Sequence, residues 1–232
     1  MVDRWLSLRE RGHRGLITAT SRHGLTPLSH GACPLPLALQ TVPLGRPVSE
    51  TMRWLRQLAA QAPDWRSVVD AIRPFTQDIW QHWAQVEQRR FLRHARRHWD
   101  VHRHRIAADI GARLSGELKA GTVRIERSRG SLRTGHTFDC RGYLPDWSAV
   151  RNPLIASLLG AGVARPDPLG IGLDVTADCH LVGRNGESRP RLFAIGPITR
   201  SRFWEIEAIP DIRRQCEGLS MRLGARDFVA RG

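Results

Sequence analysis

The apolar run Leu192-Phe-Ala-Ile195 stops at Gly196-Pro197, and a helix-start signature, Pro210-Asp211, follows. A short apolar run of this kind fills a buried strand. Gly196 permits close backbone approach and Pro197 removes an amide donor, so the strand cannot continue. Pro210 suits a first helical turn, and Asp211 complements the positive end of the helix dipole. Strand, glycine turn and helix N-terminus, in that order, can aim backbone amides at an anionic or electron-rich ligand. The same order also serves as a plain connection, so other features have to separate the two readings.

The opening residues add a second constraint. Val2, Trp5, Leu6 and Leu8 form an apolar stripe within 1–12, and Gly12 stops the helix. Leu16–Thr20 then reads as a strand ending at Ser21-Arg22. Helix followed by strand looks like the second half of a βαβ unit. In a dinucleotide-binding unit the tip of that second strand lies beside the adenosine ribose. An acidic residue there suits NAD, whereas an arginine accommodates the 2′-phosphate of NADP. Arg22 stands at this tip, beside Ser21, with an ordinary surface arginine as the alternative.

Between these ends the pattern is mainly helical. His23–Pro47 is loop-like, with prolines at 27, 34, 36, 43 and 47. Ser49 can cap a helix over Thr51–Gln61, and Asp64 one over Trp65–Ile72, which Pro74 ends. Helical segments follow at Phe75–Trp83, Gln85–Arg105 and Asp109–Leu118, with Gly121 as the stop. Thr122–Glu126 and His136–Cys140 have strand character, and Asn152–Leu159 is a short helix. Leu169–Val175 alternates apolar and small residues. Asn185-Gly186 is a hairpin dipeptide between a strand begun at Leu181-Val182 and the returning Leu192–Ile195. The last helix covers Ile209–Leu223.

Lys and Arg number 36 against 22 Asp and Glu, a net charge of +14. Such a field favours anionic partners, among them nucleotides and nucleic acid. The stretch Arg89–Arg105 interleaves arginines and histidines with Phe91 and Trp99. It suits either a nucleic-acid surface or a helix lining an anionic cofactor or substrate cavity, and Trp99 beside Val101 favours the cavity. His94, His98 and His102 would share one face of a continuous helix, the spacing of a metal pair. Arg93, Arg96, Arg97 and Arg103 crowd that face with positive charge, so no metal is expected. Four cysteines lie far apart with no Cys-x-x-Cys, against a disulfide scaffold and in favour of a reducing compartment. No apolar run reaches the ~18 residues of a membrane span, and the expectation is a cytoplasmic protein. No nucleophile elbow, Walker loop or carboxylate pair is present, so catalytic residues stay unassigned and a cofactor would carry the chemistry.

Several motifs together resemble one family. Trp99-Asp-Val-His-Arg-His-Arg-Ile106, Asn152-Pro-Leu-Ile155, Ala164–Val175, Pro190–Thr199 and Phe203-Trp-Glu-Ile206 are similar to the bacterial FAD/NAD(P)-binding proteins, YdhS-like flavoproteins. Met1-Val-Asp3, Arg11–Gly15 and Ser21–Leu25 match the same family's nucleotide-binding segment. The resemblance implies an α/β chain: a partial two-dinucleotide-binding, Rossmann-like flavoprotein fold with a helical insert. Its parts would be an NAD(P)-binding remnant at 1–47, the insert at 48–121, and a C-terminal region at 122–232. Implied cofactors are FAD and NADP(H), and the implied activity is a flavin-dependent NAD(P)H oxidoreductase, with a monooxygenase or hydroxylase type as one candidate use, on an unidentified small-molecule substrate. Gly196, Pro197, Ile198, Thr199, Ala208, Ile209 and Pro210 would face the flavin, and Ser21 and Arg22 the NADP ribose. The chain departs from the family at three points. It contains no Gly-x-Gly-x-x-Gly, Ala194-Ile-Gly-Pro197 stands where many such proteins carry Ala-x-Gly-Asp, and Cys140-Arg-Gly differs from Cys-Thr-Gly. These departures imply the C-terminal portion of a longer flavoprotein, with weak FAD binding on its own. A basic nucleic-acid binder and an inactive remnant are the alternatives.

Overall fold

The protein is described by a computed structural model covering residues 1–31, 42–128, 135–140, 147 and 150–229, with side chains to residue 224. It has a mixed α/β architecture dominated by helices, with two small two-stranded sheets among the described residues. The chain divides into two compact units. Unit 1 comprises residues 1–38, 54–71 and 91–142, and unit 2 comprises 39–53, 72–90 and 143–232. The helices of 48–121 are thus distributed over both units.

In unit 1 the helix α1 (Val2–Glu10) leads to strand β1 (Ile17–Ser21), and α7 (Ala108–Lys119) leads to β2 (Val123–Arg127). Between them in sequence lie α2 (Val48–Gln61), α3 (Trp65–Ile72), α4 (Thr76–His82), α5 (Gln85–Arg90) and α6 (Arg96–Arg103). Both helix-to-strand joints use one device. The amide of His13 donates to Leu8 O and that of Gly12 to Arg9 O, while Thr122 donates to Glu117 O and Gly121 to Leu118 O. Each is a Schellman pair, and it needs a left-handed residue, supplied by Gly12 at φ +85° and Gly121 at φ +73°. The strands β1 and β2 then pair in parallel, Ile17 opposite Val123 and Ser21 opposite Arg127. Trp5, Leu114 and Val123 form the buried centre, surrounded by Met1, Val2, Leu6, Ile17, Ile106, Ile110 and Leu118. These positions repeat every three or four residues along α1 and α7, as an amphipathic helix requires.

An ion pair between a buried arginine and a half-buried glutamate closes this centre. Arg9, with only 9% of its surface exposed, donates to Glu117 from Nε at 2.8 Å and from Nη2 at 2.6 Å. Its remaining donors go to the carbonyls of His13, Gly15 and Thr122, so one guanidinium ties the two helix-to-strand joints together.

Two expectations change here. Residues 136–140 form no strand; 135–140 are exposed throughout, and Phe138 lies under the Arg4 guanidinium at 4.3 Å. The continuous helix expected over Gln85–Arg105 is interrupted by a π-helical turn at Phe91–Ala95. Phe91 is buried within it, and the wider turn moves the residues that follow out of α-helical register.

Unit 2 holds a second core of Ala164, Leu173, Val175 and Leu181. Leu158 and Leu159 from α8 (Pro153–Gly160) pack on it, as do Ala194, Ile198 and Phe203. Asn152 caps α8, its side-chain oxygen accepting the Ile155 amide. β3 (His180–Val182) and β4 (Ser188–Phe193) make an antiparallel hairpin, irregular between His180 and Val182. The Pro166–Leu173 and Val175–Leu181 bridges extend this sheet toward the preceding segment. The last helix, α9, runs Ile209–Val229, beyond the expected Leu223. Trp80 stacks on Trp204 with centroids 4.6 Å apart and donates its indole N–H to Ser201 O.

Candidate functional site

The residues singled out from the sequence fall at two places, one in each unit. In unit 1, Ser21 and Arg22 stand at the carboxyl end of β1. In open α/β sheets this is the end at which ligands bind. Ser21 fixes the local backbone: its hydroxyl accepts the Gly24 amide at 3.0 Å, and its carbonyl accepts the Ser128 amide at 2.9 Å. Arg127, at the corresponding end of β2, donates from Nε to the Arg22 carbonyl at 3.1 Å. The neighbouring loop is therefore tied to both strands.

The electrostatics of this tip are one-sided. His23 has its pKa lowered, first by desolvation and then by the positive charges of Arg97, Arg127, His98 and Arg22. Arg22 and His23 are exposed. A cluster of cations that push a histidine toward its neutral form is a place where an anion is stabilised. Arg97 and His98 belong to α6, so part of the basic 89–105 stretch contributes to the field at the strand tip.

In unit 2, Gly196–Thr199 forms a single 3-10 turn directly after β4. Gly196 has φ +76°, yet a Cβ placed there would meet nothing within 4 Å, so its requirement for glycine is conformational. Its amide does not point to open space. It donates to Gln215 Oε1 at 2.7 Å, while Gln215 Nε2 donates to Thr199 Oγ1 at 3.1 Å and Thr199 Oγ1 donates to Gly196 O at 2.8 Å. Thr199 is fully buried inside this closed ring, and Ile198 O accepts the Leu173 amide. Pro197 is exposed, as are Pro210 and Ile209, the last at 74%. Ala208 O accepts the amides of Asp211 and Ile212 and starts α9. Among the described residues no hydrogen bond links Ala208–Pro210 to Gly196–Thr199; α9 reaches the turn through Gln215, two turns in.

A flavin pyrophosphate at this turn would need amide donors. Gly196 is buried with its amide engaged and Pro197 has no amide, so of these two only the proline ring is exposed. The turn fits a flat contact and does not present a phosphate cradle. The segment before it is shaped by Asp167, a residue to which sequence reasoning assigned no role. Its carboxylate accepts the amides of Leu169 at 2.7 Å, Ile171 at 2.8 Å and Gly172 at 2.6 Å. Burial raises its pKa against the pull of these donors. The only signal for it in the sequence is an Asp followed by Gly170 and Gly172, a turn signature without a ligand meaning.

The histidine triplet does not assemble. His94 lies in the π-helical turn, and His102 Nδ1 is 2.7 Å from the carbonyl of His98 with its ring edge-on to Trp65. Among the described residues no group of three or more His, Cys, Asp or Glu side chains could hold a metal ion. Cys140, Cys179 and Cys216 are free thiols, and burial raises the pKa of Cys179. Cys33 lies outside the described residues. Among those residues no helix is long and apolar enough to cross a membrane. No family model matches the chain, and no curated protein matches it.

Proposed function

We propose that the protein takes part in NADP(H)-linked, flavin-dependent oxidation–reduction, with the β1–β2 tip of unit 1 reading the 2′-phosphate of NADP(H). The observation that supports this most is the convergence of Arg22, Arg97, Arg127 and two histidines on the carboxyl end of a parallel strand pair. A phosphate monoester carries a charge of roughly −1.5 to −2 at neutral pH, and NADH lacks it. One charge-assisted hydrogen bond contributes about 1.5–3 kcal/mol, enough for at least about tenfold preference for NADPH. Ser21 would keep the loop in place, and Arg22 would make the direct contact.

The flavin part of the reading rests on the likeness at Pro190–Thr199 and Phe203–Ile206. Bound FAD would supply the hydride acceptor. Gly196–Thr199 and Ala208–Pro210, of which Ile209 and Pro210 are exposed, are the residues proposed to lie against it, in a Rossmann-like, two-dinucleotide arrangement. Nucleic-acid binding is disfavoured because much of the basic stretch is already engaged. Arg90 pairs with Glu87, Arg96 with Asp100 and Arg105 with Asp70, and Arg89 donates to the Pro168 carbonyl.

Calorimetric titration with NADPH, NADH and a duplex oligonucleotide tests the proposal. NADPH binding at least about tenfold tighter than NADH supports it. Equal affinities for the two cofactors, or DNA binding tighter than either with a steep salt dependence, overturn it.

A further inference from the structure

Apart from both of these places, unit 2 contains a cleft of about 200 Å³ whose lining residues include Gln81, Gln85, Gln88, Asp167, Asp174 and Arg202. That volume holds about seven waters, and it falls below the roughly 300–1,000 Å³ of sites for drug-sized ligands. A dinucleotide does not fit, whereas a molecule of seven to ten non-hydrogen atoms does, at about one such atom per 20–30 Å³.

The lining specifies the chemistry of the occupant. Gln88 Nε2 donates to Trp80 O at 2.9 Å and Gln81 Nε2 to Arg202 O at 3.4 Å, which orients both amides and leaves each carbonyl oxygen free to accept. Gln85 lines the same wall and makes no side-chain hydrogen bond among the described residues. Arg202 is exposed, and its guanidinium has no carboxylate partner among those residues. Asp174 receives Arg165 Nε and Nη2 on one oxygen, at 2.8 and 2.7 Å, so its second oxygen stays available to a donor. The Asp167 carboxylate is consumed by its three backbone amides and shapes the wall instead of binding.

An unpaired guanidinium matches a carboxylate bidentately, and a carboxylate oxygen matches an ammonium. Carboxamides between them match a polar side chain in either direction. We infer that this cleft binds a small polar α-amino acid: its carboxylate on Arg202, its ammonium on Asp174 and its side chain among Gln81, Gln85 and Gln88. The assignment is independent of the NADP(H) reading, because every residue in it belongs to unit 2, and none of them is among the residues proposed to lie against a flavin.

Tryptophan fluorescence reports on this site, since Trp80 donates to the carbonyl of Ser201 in the cleft lining. The intact chain is titrated, without cofactor, with L-glutamine, L-asparagine, L-serine, succinate and glutaminamide, in wild type and in the exposed-site variants Arg202→Gln and Gln85→Ala. Expected are saturable binding of at least one amino acid and its weakening by about tenfold or more in Arg202→Gln. Glutaminamide and succinate are expected to bind no more than weakly, and NADPH affinity to stay unchanged in both variants. No saturable response to the three amino acids overturns the inference. Undiminished binding in Arg202→Gln does so as well, as does succinate binding equal to that of the best amino acid.

Discussion

Gln215 Oε1 accepts the Gly196 amide at 2.7 Å, so a side chain two turns into α9 holds the turn that ends β4. The same carboxamide donates to Thr199, and its Nε2 lies 3.6 Å from Cys179 Sγ at the start of β3. The Gln215→Leu substitution leaves a half-buried amide and a buried hydroxyl without their partner. It is expected to cost about 1–3 kcal/mol of unfolding free energy. Gln215→Glu keeps the acceptor and loses the donor, so its cost should be intermediate. Urea unfolding followed by tryptophan emission measures both. A Gln215→Leu protein as stable as wild type would show that the clamp contributes nothing.

Gly196 separates a conformational requirement from a steric one. With φ +76° and open space where a Cβ would stand, Gly196→Ala should cost about 1–2 kcal/mol through backbone strain alone. Asparagine tolerates the left-handed region better than alanine, so Gly196→Asn should be the milder change despite its larger side chain. If Gly196→Asn proves the worse of the two in the same urea assay, crowding and not backbone conformation governs the site.

The Arg9–Glu117 pair predicts how unit 1 responds to acid. Glu117 has its pKa lowered, chiefly by the Arg9 hydrogen bond. A carboxyl with a folded pKa below its unfolded one contributes stability that is present above the unfolded value and lost as pH falls through the folded one. Wild type should therefore lose stability below about pH 4.5 more steeply than Glu117→Gln, whose stability is already reduced at neutral pH. Arg9→Met should cost about 1–3 kcal/mol, because it leaves a half-buried carboxylate and three carbonyls without their donor. Parallel pH–stability curves for wild type and Glu117→Gln would remove Glu117 from the account.

What could be read from the residues alone follows the range of the forces involved. The helices α1 and α7 and their stops at Gly12 and Gly121 are local events, set by apolar spacing and one left-handed residue each. The Asn185-Gly186 hairpin and the short helix at Asn152–Leu159 are legible for the same reason, although the capping role of Asn152 is seen only in the structure. The parallel pairing of Ile17 with Val123 joins segments separated by the whole run of helices, and no local signal announces it. The π-helical turn at Phe91–Ala95 depends on burying Phe91, so periodicity alone predicted an unbroken helix. Arg22 was legible as a strand-tip arginine, whereas its company of Arg97, His98 and Arg127 emerges only when α6 and β2 are placed. Gln215 carries no signal at all, since its role exists only once α9 has docked on the turn.

If the β1–β2 tip discriminates NADPH from NADH, Arg22 carries that discrimination. Affinities for both cofactors are to be measured by calorimetry, at one fixed salt concentration, in wild type and Arg22→Ala. Arg22 is exposed, so the substitution should leave the fold intact. In Arg22→Ala, NADPH binding should weaken by about tenfold or more while NADH changes little, so that the preference between them largely disappears. Equal weakening of both cofactors, or an unchanged preference for NADPH, would contradict this role of Arg22.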